Sequence, residues 1–134
     1  METIQDMDIK HEEEKVAASV RFFKNELEIR YSELAEPEDF FSIERQIIQD
    51  QLHILSQSYL TDYLLEILVT KKMSALDACD YLLRDIKNAF MGEKASYIRQ
   101  RGTDFFNVIS GVKLWLERLF CKSFIDFKSP DFVY

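Results

Sequence analysis

Few residues in this chain have the chemistry for catalysis, and their spacing decides what they can do. Two histidines, His11 and His53, and two cysteines, Cys79 and Cys121, are the side chains able to carry a phosphoryl group, bind a metal or attack as a nucleophile. A phosphoacceptor histidine needs a carboxylate placed to orient it. None stands at a legible spacing from His53, which therefore reads as a surface histidine with a contact role. His11 lies beside Glu12, Glu13 and Glu14 and reads as solvated. The glutamate triplet suits a helix start, where carboxylates favour the dipole, better than it suits a site for a basic partner. Both cysteines sit in apolar helical patterns with no histidine near them, as small hydrophobes do and zinc ligands do not. A disulfide is not expected in a cytoplasmic protein. No glycine-rich loop is present to cradle a phosphate. One polar set remains: Tyr97, Arg101 and Asp104, spaced by four and three, share a helix face. The chain therefore reads as a docking protein without metal or cofactor of its own.

The elements that carry these residues are helices. With 134 residues, 47% of them apolar, the chain suits one domain with one core, and three glycines and two prolines leave few breaks for many short strands. A net charge of -7 repels phosphate backbones, which argues against nucleic acid as a partner. No apolar run is long enough to span a membrane and the first residues are acidic and polar, so a cytoplasmic location is expected.

From Asp8, apolar residues at Val16, Val20, Phe23, Leu27, Tyr31 and Leu34 mark one face of a long helix that Pro37 ends. Asp39 suits the N-cap of the next helix, whose core stripe is Phe41, Ile48, Leu52 and Leu55, with Ile47 at its margin. Ile43 and Ile54 fall off that stripe and share another side with Gln46, Asp50, His53 and Gln57, which suggests a contact surface. Ser56-Gln57-Ser58 interrupts the helix, and Ser58 is placed to cap a shorter one over 59–71, closed by Lys71 and Lys72. Ser74 to Asp77 reads as a capping box before a helix carrying Ala75, Ala78, Cys79, Leu82, Ile86 and Phe90, which Gly92 stops as a left-handed C-cap. The last helix starts near Ala95 and has the most regular stripe, Ile98 to Leu119, with Trp115 in its middle. FIDF and FVY at the end suggest strand fragments. The expected fold is all-α: an antiparallel four-helix bundle with one helix broken in two, in the order long, long-short, medium, long. Residues 1–7 read as a connector, 8–121 as a helical docking domain and 122–134 as a tail.

Between Glu44 and Leu116 the segments IIQDQLHILSQSYL, KKMSALDA and YIRQRGTDFFNVISGVKL follow one another in an order that resembles the helical domain of enzyme I. Enzyme I is the phosphoenolpyruvate–protein phosphotransferase of the bacterial phosphotransferase systems. Met73, Ala75, Ala78, Tyr97, Arg101 and Asp104 stand at matching places. The resemblance implies a domain that docks the histidine-containing phosphocarrier HPr. It also implies that the phosphorylated histidine lies in a neighbouring α/β subdomain, and that phosphoenolpyruvate and magnesium bind a separate barrel domain, neither of which these residues contain. Family members dimerise through a domain absent here. The implied docking face is Gln46, Gln49, Asp50, His53, Ile54, Gln57, Tyr59 and Leu60, with Tyr97, Arg101 and Asp104 orienting the last helix against the active-site subdomain. The family carries several carboxylates on this face; Ser42, Ile43, Gln49, Gln57, Ser58 and Tyr59 stand in their places. Its helix-two histidine is Gln51 here, and Asn107 and Ser110 replace an aspartate and a glycine of the last motif. The alternative is a free-standing helical adaptor that has diverged from that family.

Overall fold

A computed structural model describes residues 6–34, 42–90 and 92–121. It is all-helical: α1 (Asp6–Glu33), α2 (Ser42–Ser56), α3 (Tyr59–Lys71), α4 (Ala75–Phe90) and α5 (Ser96–Phe120), with no strand among the described residues. Of the connector expected over 1–7, residues 1–5 lie outside those residues, whereas Asp6 and Met7 already belong to α1; Pro37, Asp39, Phe41 and the proposed strand fragments of the tail also lie outside them.

Helix α5 is the central element, packing against α4, α1 and α2, while α3 packs chiefly on α4. Its stripe supplies Val108, Ile109, Val112 and Leu116, all essentially inaccessible to solvent. They meet Val16, Phe23 and Leu27 of α1, Ile48 and Leu55 of α2, Leu64 and Leu68 of α3, and Ala78, Cys79, Leu82 and Ile86 of α4 in one core. Two glycines of α5 let its neighbours approach closely. A Cβ at Gly102 would overlap the Phe90 side chain, and one at Gly111 would overlap the Phe23 ring. Neither position announces itself as a contact in the sequence, because a missing side chain leaves no mark on periodicity.

The helix ends depart from expectation in instructive ways. Ser58 does not cap α3 through its hydroxyl: its backbone is helical (φ -74, ψ -9), and its carbonyl accepts from Asp62 N–H at 2.8 Å. A hydroxyl cap needs an extended backbone at that residue, and the chain passes from α2 to α3 without fully leaving helical space. Helix α3 ends on Lys72 in the left-handed region (φ 52, ψ 55), its N–H and that of Met73 both reaching the Leu68 carbonyl. A residue with a Cβ is strained there. No glycine has positive φ, so Gly92 is not the left-handed cap expected of it. Instead Arg99 donates to the carbonyls of Glu93 (2.6 Å) and Lys94 (2.9 Å) and ties the turn down.

At the start of α4, Ser74 Oγ accepts from Asp77 N–H at 3.1 Å, as a capping box requires. A second orphan donor, Ala75 N–H, is met from 63 residues away by Glu12 Oε1 at 2.7 Å. Glu12 also pairs with Lys15 at 2.9 Å. The glutamate triplet is thus not merely a solvated helix start, since its first member caps another helix. Trp115, placed in the middle of a core stripe by spacing, is half-buried at the α1–α5 edge. It stacks on Phe22 (5.5 Å between centroids) and donates its indole N–H to Glu26 at 2.9 Å.

Candidate docking surface

The outward side of α2 is polar and open. Gln46, Gln49, His53 and Gln57 are exposed, Asp50 is half-buried, and Gln46 Nε2 donates to Asp50 Oδ1 at 2.9 Å. Ile43 (75% exposed) and Ile47 (51% exposed) add apolar area on this helix. Spacing puts Ile47 at the margin of the core stripe and Ile54 outside it; the structure reverses them, leaving Ile54 at 1% exposure inside the core. The two lie on nearly the same side of α2, two turns apart. That side is covered at the level of Ile54 and open at the level of Ile47, and position along the axis is not encoded in a helical period. Leu60 is likewise buried. Ile54 and Leu60 are therefore not part of the exposed face, although Leu60 reappears at the base of a groove beside it.

That groove, about 570 Å³, opens between α3, α4 and the first half of α5. Leu60, Leu82 and Ile86 form its buried base, and Phe90, Phe105 and Tyr59 its aromatic sides. Phe105 meets Tyr59 edge-on at 6.0 Å and Phe90 edge-on at 5.7 Å. Two polar links hold the sides in place. Tyr63 Oη donates to Asp85 Oδ2 at 3.1 Å, joining α3 to α4. The Asp85 carboxylate beside it pushes the Tyr63 phenol above its ordinary pKa. Arg101 Nη2 donates to Tyr59 Oη at 3.2 Å, joining α5 to the head of α3, and its guanidinium lies 5.1 Å from the Phe105 ring centre.

The polar set on α5 therefore divides. Arg101 reaches Tyr59, Asp104 accepts from Gln100 at 3.1 Å, and no ion pair joins Arg101 to Asp104. Tyr97 stands exposed on the same helix (76%). Met73, Ala75 and Ala78, three other residues of the resemblance, are core residues. Sequence reasoning missed Tyr63 and Phe90, whose helical spacing packing explained, and Asp85, which stands in no pattern of its own. The Phe105-Phe106 pair was the available signal, since adjacent aromatics on a helix cannot point the same way.

Compared with known proteins, the chain matches no family model, no curated protein and no solved structure. Its chemistry rests on the geometry described. Cys79 is buried on α4, and burial pushes its thiol up to about 12, so it stays protonated and inert at neutral pH. Among the described residues no group of three or more His, Cys, Asp or Glu is placed to hold a metal ion. No carboxylate pairs with the His53 imidazole among them either. No described helix is long and apolar enough to cross a membrane. What the arrangement offers is a preformed apolar groove that meets, at Tyr59, an exposed helix face rich in amides with one carboxylate, Asp50.

Proposed function

We propose that this chain is the phosphocarrier-docking domain of an enzyme I-type phosphoenolpyruvate–protein phosphotransferase, working in the cytoplasm and binding an HPr-like protein. In this reading α2 and α3 are one broken element of an antiparallel four-helix bundle. Phosphoryl transfer runs through a histidine outside this chain, and magnesium acts only in a separate barrel domain. The chain alone positions the carrier and performs no chemistry on it.

The observation that carries the reading is the Arg101–Tyr59 hydrogen bond. Two residue sets that the resemblance names separately, the docking face around α2–α3 and the α5 set, become one surface through that contact. Tyr97 and Asp104 stand beside it as residues that orient α5 against a neighbouring subdomain.

The test is a titration of isotope-labelled chain with the HPr-like protein encoded by the same genome. Resonances of Gln49, His53, Gln57, Tyr59 and Arg101 are expected to shift together. Unshifted α2 and α3 resonances at millimolar carrier would remove the proposal.

A second reading, a free-standing adaptor with another partner, is favoured by one observation. The outward face of α2 offers one carboxylate, Asp50, already engaged by Gln46. A coding sequence for a histidine-bearing α/β segment immediately downstream favours the first reading; a stop codon there favours the second.

A further inference from the structure

The groove beside Tyr59 also says what kind of surface its partner presents. Its base is aliphatic and its sides aromatic, and of the residues lining it only Asp85 carries charge. That carboxylate accepts from Tyr63, and the opposite charge of Arg101 stands at the rim, bonded to Tyr59 and over the Phe105 ring. The adjoining α2 face supplies Gln46, Gln49, His53 and Gln57 with a single carboxylate, Asp50, and has exposed Ile43 and Ile47 beside them. A chain of net charge -7 has thus placed a nearly neutral surface here.

Two cross-helix hydrogen bonds and two edge-to-face contacts set the walls before anything binds. Little ordering cost is then left for association. The volume is that of a typical ligand pocket, yet the surface continues past Tyr59 along α2, which suits a protein rather than a small molecule. A second copy of this chain is a poor occupant, because pairing would bring two charges of -7 together.

Building on the docking reading, we propose that the groove seats large apolar side chains projecting from a charge-poor patch of the partner protein, so that docking runs on burial and shape rather than on charge. Steering by opposite charge raises association rates and is screened by salt. A partner held this way keeps its affinity when salt is raised.

The experiment uses the labelled chain with three probes. Indole, a neutral aromatic, is expected to shift Tyr63, Ala89, Phe90 and Phe105, while n-butylammonium is expected to leave them in place. Ala89→Glu, at an exposed position on the groove wall, is expected to abolish the indole shifts while the helical circular dichroism stays unchanged. The HPr-like carrier is expected to change in Kd by less than about threefold between about 50 and about 500 mM salt. Groove resonances that answer butylammonium and ignore indole would overturn the proposal. So would a carrier Kd weakened about tenfold or more across that salt range, or groove shifts that follow chain concentration and reveal a dimer. If indole binds and the carrier does not bind at any salt, the carrier reading fails while the apolar character of the groove stands.

Discussion

Two corners of this molecule are each held by a polar side chain reaching across helices, and they differ in what surrounds them. At one, Glu12 caps α4 through Ala75 N–H and pairs with Lys15, with only about 14% of the Glu12 side chain exposed. At the other, Arg101 reaches Tyr59 in the open, beside a groove and the outward face of α2. The first satisfies a backbone donor that water cannot easily reach, so it holds the fold. The second joins two side chains that water could serve equally well, so it adds little stability. What it contributes is a fixed wall for a groove.

That contrast can be broken at several points. Gly111→Ala acts on the packed side, where a Cβ meets the Phe23 ring between α1 and α5. It is expected to destabilise by roughly 1–3 kcal/mol, seen as a lower midpoint in urea. Gly102→Ala, the equivalent change on the groove side, pushes on Phe90 and is expected to weaken indole and carrier binding beyond its cost in stability.

Glu12→Gln comes next, at roughly 1–2 kcal/mol, because a charged cap and an ion pair are replaced by a neutral acceptor. Its cost depends on pH. Burial tends to raise the Glu12 carboxyl, but the Ala75 N–H and then Lys15 outweigh it and hold it below the ordinary glutamate value. A depressed folded-state pKa gives stability that is present above the unfolded value and is lost as pH falls through the folded one. The gap between the parent and Glu12→Gln should therefore be full at neutral pH, begin to narrow as pH falls to the ordinary glutamate value and close only below the depressed folded-state value. Unfolding curves that stay parallel down to acid would show that the carboxylate is not the cap.

Lys72→Gly relieves a left-handed residue on the approach to that same corner. It is expected to stabilise by about 1 kcal/mol, measured as a raised melting point. The smallest stability effect belongs to Arg101→Ala, roughly a few tenths of a kcal/mol, yet this variant should weaken carrier docking by freeing Tyr59. A melting point lowered by much more would turn Arg101 into a structural residue and erase the difference between the corners.

Much of the helical pattern was legible in the residues. The α3 limits follow from Leu60, Leu64, Ile67 and Leu68 in helical register, and all four are buried. The Ser74 cap of α4 was readable from four consecutive residues, because both partners of such a cap lie within one turn. The exposed side of α2 was legible in part. Gln46, Gln49, His53 and Gln57 are exposed as the period requires, whereas Ile54 and Leu60 are not. Helical period states which way a side chain points, but not whether another element stands there.

By itself, then, the sequence determined the helices and most of their inward stripes. These depend on neighbours one to seven residues apart, which periodicity records. Only the tertiary structure decided that Glu12 caps α4, that Arg101 reaches Tyr59 rather than Asp104, and that Tyr63, Asp85, Phe90 and Phe105 enclose a groove. Those contacts join residues tens of positions apart, beyond the reach of any helical period.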